Sequence, residues 1–246
     1  MPRLFVEHAL ANADPELTLP PGAARHAQVL RLQPGSELTL FDGSGLDWPA
    51  EVLRMGRSEV TVRLGEPVHV ARELPHAVTL AVVMPANDRM DGIVEKATEL
   101  GVAAIQPLMS ERSVLRLSGD RAEKKVAHWR GVAIAACEQS GRSRVPEIAP
   151  VQSLAPWLAG LATVAAGQRR WLLSPIAAEP ITARVGEAGD ATLVLSGPEG
   201  GLSASEEEAA RARGFVALQL GPRILRADTA PLAVLGWLSL SAAQAG

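Results

Sequence analysis

"LVLSGPEGGLSASEEE", residues 193–208, runs from an apolar stretch through three glycines into an acidic helix start. Gly197, Gly200 and Gly201 permit positive φ or let a ligand press against the main chain, and Ser203 with Glu206 has the S-x-x-E spacing of a capping box. The stretch therefore reads as strand, turn and helix. Such corners often hold phosphate. This one lacks the Lys-Ser/Thr pair of a P-loop and puts Glu199 where a phosphate would sit, which disfavours a polyphosphate ligand.

Working outward, apolar strands alternate with helical segments from residue 77 onward: "VTLAVVMP", a helix near 89–101, "AAIQPLMS", a helix near 120–139, "RRWLLSP", "ATLVLSGPEGG", a helix near 204–213, "FVALQLG" and a final helix beginning near Asp228. That alternation predicts a parallel α/β sheet. The first 70 residues follow a different period. "ELTLFDG", "DWPAEVLRM" and "SEVTVRLGEPV" alternate apolar with polar residues between the turn signals "DGSG" and "MGRS", as an antiparallel meander closing into a small β-barrel would. The change of period falls at "ARELPHA", so the expected domains are 1–72 and 73–246.

The 246 residues are 47% apolar, ample for packed cores. No apolar run approaches the roughly 20 residues of a membrane span, and the N-terminus lacks a signal-peptide core, so the expected location is the cytoplasm. Cys137 is the single cysteine, and His8, His26, His69, His76 and His128 show no metal-ligand spacing; no metal is expected. The net charge of −3 argues against indiscriminate coating of nucleic acid, yet charge is uneven along the chain. Between Glu111 and Arg144, eight basic residues (Arg112, Arg116, Arg121, Lys124, Lys125, Arg130, Arg142, Arg144) stand against four acidic ones (Glu111, Asp120, Glu123, Glu138). Arginine outnumbers lysine 21 to 3, which suits bidentate phosphate contacts.

In a Rossmann-type fold the glycine turn follows the first strand, whereas here it follows a late one. Three late strands end in comparable corners, "LLSP", "LSGPEGG" and "LGPRILRADTA". Ligands of open α/β sheets collect at the carboxyl ends of strands, so the three corners are expected to share one pocket whose ligand meets mostly backbone.

"GPEGGLSASE" followed by "LGPRILRADTA", preceded by "KATELGV" and "IAACEQSGRSRVPEI", together with the N-terminal "RHAQVLRLQPGSELTLFDGSG", resembles the RsmE family of ribosomal RNA uridine-N3 methyltransferases in the SPOUT superfamily. One departure is Asp228, where the family usually has glutamate. The resemblance implies a PUA-like β-barrel for RNA, a SPOUT-type α/β parallel sheet with a C-terminal trefoil knot, S-adenosylmethionine as cofactor, and a homodimer acting on 16S ribosomal RNA, with an assembled small subunit as the expected partner. Knotting runs against the general rule that chains do not thread their loops. Carried over residue by residue, the cofactor set is Leu173 and Ser174 from the first corner, Gly197, Glu199, Gly200 and Gly201 from the second, and Leu220, Gly221, Ile224, Leu225 and Ala230 from the third.

Uracil N3 carries a proton that must leave before or during methyl transfer, so a general base, or donors that stabilise the uracilate, are required. Glu138 is the candidate base, with Arg226 and Arg142 to hold uracil carbonyls or phosphate. The competing reading makes Glu138 an i,i+4 ion-pair partner of Arg142. Cys137 reads as a small buried side chain. In the barrel, Arg3, Arg25, His26, Arg31 and Arg57 are the candidate RNA contacts; with no tyrosine and three phenylalanines, stacking is not the main device. The apolar C-terminal stretch from Ala230 is expected to pack in the homodimer. Two alternatives remain at this point: a related SPOUT enzyme acting on a ribose hydroxyl or another base, and a non-catalytic RNA-binding module.

Overall fold

A computed structural model describes residues 1–10, 16–57, 59–176, 178–184 and 189–242. The chain divides into two compact units, Met1–Glu73 with Ile134–Val145, and Leu74–Ala133 with Pro146–Gly246.

The first unit contains β1 (Arg3–Phe5), β2 (Glu16–Thr18), α1 (Pro21–Val29), β3 (Glu37–Phe41), β4 (Leu46–Met55), β5 (Val60–Leu64) and β6 (Val68–His69). The alternating segments form the expected antiparallel meander, with Leu40 opposite Trp48 and Val52 opposite Val62. Strand β2 adds antiparallel to β5, β1 joins β3 in parallel, and β6 pairs with β4. Gly43 and Gly45 in the "DGSG" turn sit at φ of 89° and 98°, where a Cβ would be strained. Helix α1 is a finding the strand-like period of this region concealed. Pro21 presets its first turn, and its buried face is only Ala23, Ala24 and Ala27, a stripe without the large side chains that mark an amphipathic helix. Leu4, Leu38, Leu40, Val52, Val60 and Val62 are fully or almost fully buried in this unit's core, each contributing about 1.5–3 kcal/mol.

The second unit follows as β7 (Ala77–Val83), α2 (Arg89–Glu99), β8 (Ala104–Met109), α3 (Gly119–Ser140), β9 (Glu147–Ile148), β10 (Gln152–Ser153), α4 (Leu154–Gly160), β11 (Gln168–Leu173), β12 (Glu179–Pro180), β13 (Ala191–Ser196), α5 (Ala204–Ala212), β14 (Val216–Gln219) and α6 (Thr229–Ala242). Residues of α3 from Ile134, and those following to Val145, group with the first unit. The sheet order is β10-β8-β7-β13-β11-β14-β12, with β9 on β8. All of its pairings are parallel. In β7, Leu80, Ala81, Val82 and Val83 are all buried, so both faces are covered and the strand reads as a continuous apolar run. Two-residue strands such as β9 and β10 carry no readable period. No helix among the described residues is long and apolar enough to cross a membrane.

Candidate functional site

Strands β13, β11 and β14 are neighbours in the sheet, and their ends are level: Leu173 lies opposite Ser196 on one side and Leu218 on the other. Their three following corners therefore open at one edge. There they enclose a cavity of about 500 Å³ lined by Leu173, Ser174, Gly197, Glu199, Gly200, Gly201, Leu220, Gly221, Ile224, Leu225 and Ala230, with Arg226 also on its wall.

Local chemistry shapes the glycine corner. A Cβ on Gly197 would stand 3.2 Å from the Leu202 nitrogen, and Gly201 has φ of 65°. The capping box forms in full: Ser203 Oγ accepts from the Glu206 N–H at 3.3 Å, and Glu206 Oε2 accepts from the Ser203 N–H at 2.9 Å. The other oxygen, Oε1, accepts from the Glu111 N–H at 2.8 Å. Arg112 Nη1 donates to the Gly200 carbonyl at 2.9 Å and to that of Leu202 at 3.3 Å. The corner after β13 is thus fastened to the corner after β8. Glu199 fastens it to the corner after β7, accepting from the Ala86 N–H at 3.1 Å and pairing with Arg89 at 3.2 Å. Ser174 is buried, and its Oγ donates to Glu207 Oε1 at 2.8 Å. Arg112, Glu207 and Arg223 line the cavity although the sequence reading did not select them for it. Arg112 follows "AAIQPLMS", a fourth strand end; Glu207 had no signal beyond its place beside the cap. Arg223 and Arg226 are exposed, and neither side chain makes a hydrogen bond or ion pair among the described residues. Asp228 lines a separate groove of about 560 Å³ with Asp88, Arg89, Lys96 and Thr229.

The remaining candidates belong to the first unit. Glu138, with its side chain 15% exposed, accepts from the Phe5 N–H at 3.0 Å through Oε1 and faces His26 Nδ1 at 3.3 Å through Oε2. The ion pair with Arg142 considered above is not formed. Helix α3 ends at Ser140 and Gly141 turns the chain at φ of 86°, so Arg142 is not one helical turn beyond Glu138. Its buried guanidinium pairs with Glu73 instead. Arg3 makes a bidentate contact to Asp47, at 2.6 and 2.9 Å, and reaches Ser143 Oγ at 3.0 Å. Burial opposes the charge on Asp47, but hydrogen bonds from Arg3 and Ser143, with the charges of Arg3 and Arg72, hold its carboxyl below the ordinary range. Burial pushes the Cys137 thiol up to about 12, despite the nearby Arg142, which disfavours the reactive thiolate. Arg25, Arg31 and Arg57 are exposed and His26 is half-buried. Arg31 holds φ of 55°, an uncommon and costly conformation for a residue with a side chain.

Residues 72–239 match the family described as the RNA methyltransferase domain, and residues 19–65 match the RNA methyltransferase PUA domain. The ribosomal RNA small subunit methyltransferase E of Bacillus subtilis is 31% identical over 246 residues, spanning 97% of this chain and 96% of the relative. The chain belongs to this methyltransferase E family. The family member from Synechocystis is 36% identical over 217 residues, covering 86% of this chain and 68% of its own. The crystal structure of the Neisseria gonorrhoeae member bound to S-adenosyl methionine superposes with a TM-score of 0.89 at 34% identity, covering 98% of this chain and 97% of that one. The parallel sheet falls within the matched RNA methyltransferase domain, and the meander of β3, β4 and β5 within the matched PUA domain.

Proposed function

We propose that this chain is an S-adenosylmethionine-dependent methyltransferase of small-subunit ribosomal RNA, acting on N3 of a uridine. The observation that carries the reading is the cavity at the ends of β13, β11 and β14, which gathers all eleven residues that the resemblance assigns to the cofactor. The cavity suits the group. Its volume lies within the ordinary range of about 300–1,000 Å³ for small-molecule sites. Its glycines bare the main chain where adenine and ribose need N–H and C=O partners. Its wall carries two carboxylates, Glu199 and Glu207, and three guanidinium groups, Arg112, Arg223 and Arg226, so it offers both acceptors and donors to a ligand that bears an ammonium and a carboxylate.

When bound, S-adenosylmethionine supplies an activated methyl group on sulfur. The chain's residues must then align uracil and manage its N3 proton. Arg226 stands on the cavity wall with its donors unengaged among the described residues, available to orient uracil carbonyls and stabilise negative charge developing on the ring. Glu138 remains the candidate base. Each of its oxygens already has one partner, Phe5 N–H or His26, so the N3 proton would go to a remaining lone pair. Arg142 serves RNA through the segment it anchors to Glu73, its own guanidinium being buried.

RNA recognition is assigned to Arg25, Arg31, Arg57 and His26 on the first unit, with Arg3 holding the sheet through Asp47. The substrate is proposed to be an assembled small subunit, the cell compartment the cytoplasm, and the active form a homodimer. Helix α6 supports the last point: it is apolar along its length and leaves Leu240 71% exposed. The SPOUT-type topology of the sheet and its C-terminal trefoil knot are proposed from the resemblance.

The test is primer extension on small-subunit ribosomal RNA from a deletion strain, with mass spectrometry of the modified nucleoside. A stop present in the parent, absent in the deletion strain and restored by the gene, with the methyl group on uridine N3, is expected. A methyl group on ribose or on another base would overturn the N3 assignment, and an unchanged pattern would overturn the enzyme.

A further inference from the structure

Two carboxylates line the cavity, and they stand differently. Both oxygens of Glu199 lie within reach of the Ala86 N–H, and Arg89 pairs with it from outside. Glu207 is more enclosed, with 15% of its side chain exposed. Its Oε1 receives a hydrogen bond from Ser174 Oγ at 2.8 Å, and its Oε2 meets Arg211 one turn along α5 at 3.3 Å. A carboxylate offers about four lone-pair sites, so half of them have no partner among the described residues. Glu207 lines the cavity, so a ligand bound there can supply the donors that those sites accept.

Ser174 makes the arrangement directional. The residue is 4% exposed, and its side-chain oxygen accepts from the Ile176 N–H at 3.1 Å. Its single proton has two acceptors within reach, the Ile176 carbonyl at 3.5 Å and Glu207 Oε1 at 2.8 Å, and the shorter, charged one prevails. Support of the α5 dipole and an i,i+4 pair with Arg211 would account for a glutamate on the solvent side of this helix turn. They require neither enclosure nor a buried hydroxyl.

We infer that Glu207, oriented by Ser174, accepts a hydrogen bond from an N–H or O–H donor of the bound cofactor: the adenine amino group, a ribose hydroxyl or the α-ammonium. This rests on the reading of the cavity as the S-adenosylmethionine site. Glu207 then supplies a charged, oriented acceptor beside the bare main chain of the glycine corner.

Calorimetry on the full chain tests it, using S-adenosylmethionine, S-adenosylhomocysteine and methylthioadenosine, which lacks the amino-acid portion. Glu207→Gln keeps the shape and an acceptor for Ser174 while removing the charge. It should weaken S-adenosylmethionine and S-adenosylhomocysteine alike by about ten- to a hundredfold, as for other charged hydrogen bonds. Ser174→Ala should weaken both by about three- to tenfold. Arg211→Gln, which removes only the outer partner, should leave both within about twofold of the parent. A parallel loss for methylthioadenosine places the donor on the nucleoside; an unchanged value places it on the ammonium. Should Glu207→Gln unfold, the Ser174 and Arg211 variants still decide. Parental affinity in Glu207→Gln or in Ser174→Ala, or an equal loss in Arg211→Gln, overturns the inference. Failure of the parent itself to bind S-adenosylmethionine would instead overturn the reading of the cavity.

Discussion

Glu206→Ala is the substitution with the most to reveal about the glycine corner. The residue is 8% exposed, and its carboxylate serves two backbone donors, Ser203 N–H at 2.9 Å and Glu111 N–H at 2.8 Å. Alanine leaves both without an acceptor in partly buried surroundings, at about 1–3 kcal/mol each, and halves the capping box. Partial access of water to the helix end lowers the sum, so a total loss of about 2–4 kcal/mol is expected. Glu206→Gln retains one acceptor oxygen and should lose about 1–2 kcal/mol; Ser203→Ala, which removes only the reciprocal half of the cap, about 1 kcal/mol. Urea denaturation followed by tryptophan fluorescence measures the series. Calorimetry should show S-adenosylmethionine binding falling in the same order, because the released Glu111 contact is one of the ties that hold the cavity wall. If Glu206→Ala costs less than about 0.5 kcal/mol, or binds cofactor like the parent, then the corner is held by other means and Glu206 is not its tie.

Gly197→Ala should impair cofactor binding more than Gly201→Ala: the former drives a Cβ against Leu202, whereas at Gly201 nothing lies within 4 Å and only the backbone at φ of 65° resists, by about 1 kcal/mol. Equal dissociation constants would remove close packing as the reason for glycine at 197. The lowered Asp47 pKa means that this group's contribution to stability is present above the unfolded-state value of about 4 and is lost as pH falls through the folded value. Arg3→Ala should therefore flatten the acid limb of a stability–pH curve; a limb as steep as the parent's would show that Asp47 does not depend on Arg3. Arg31→Ala should weaken RNA binding and reduce its salt slope by about one phosphate's worth without altering stability. Arg142→Ala should instead lower stability by about 1.5–3 kcal/mol, since Glu73 loses a charged partner. Matching salt slopes for Arg31→Ala and the parent would take Arg31 out of the interface.

Much of this molecule was set by local rules that a linear chain displays. Covered parallel strands such as β7 and β13 must be apolar on both faces, so they read as unbroken runs; the cap at Ser203 and Glu206 requires one spacing; a turn at positive φ asks for glycine. The three corners could be recognised singly for that reason. That they meet depends on β13, β11 and β14 lying side by side with level ends, a matter of long-range strand pairing. Charged residues were the least legible, because the partner of a carboxylate or guanidinium is chosen through space. Glu138 and Arg142, four apart in the chain, found His26 and Glu73 once α3 ended at Ser140. Glu206 took the Glu111 N–H across 95 residues of chain, and Glu207 gained its enclosure only when β11 brought Ser174 beside α5. Backbone geometry and burial periodicity are properties of neighbouring residues; electrostatic partnership is a property of the folded neighbourhood, and only the tertiary structure decides it.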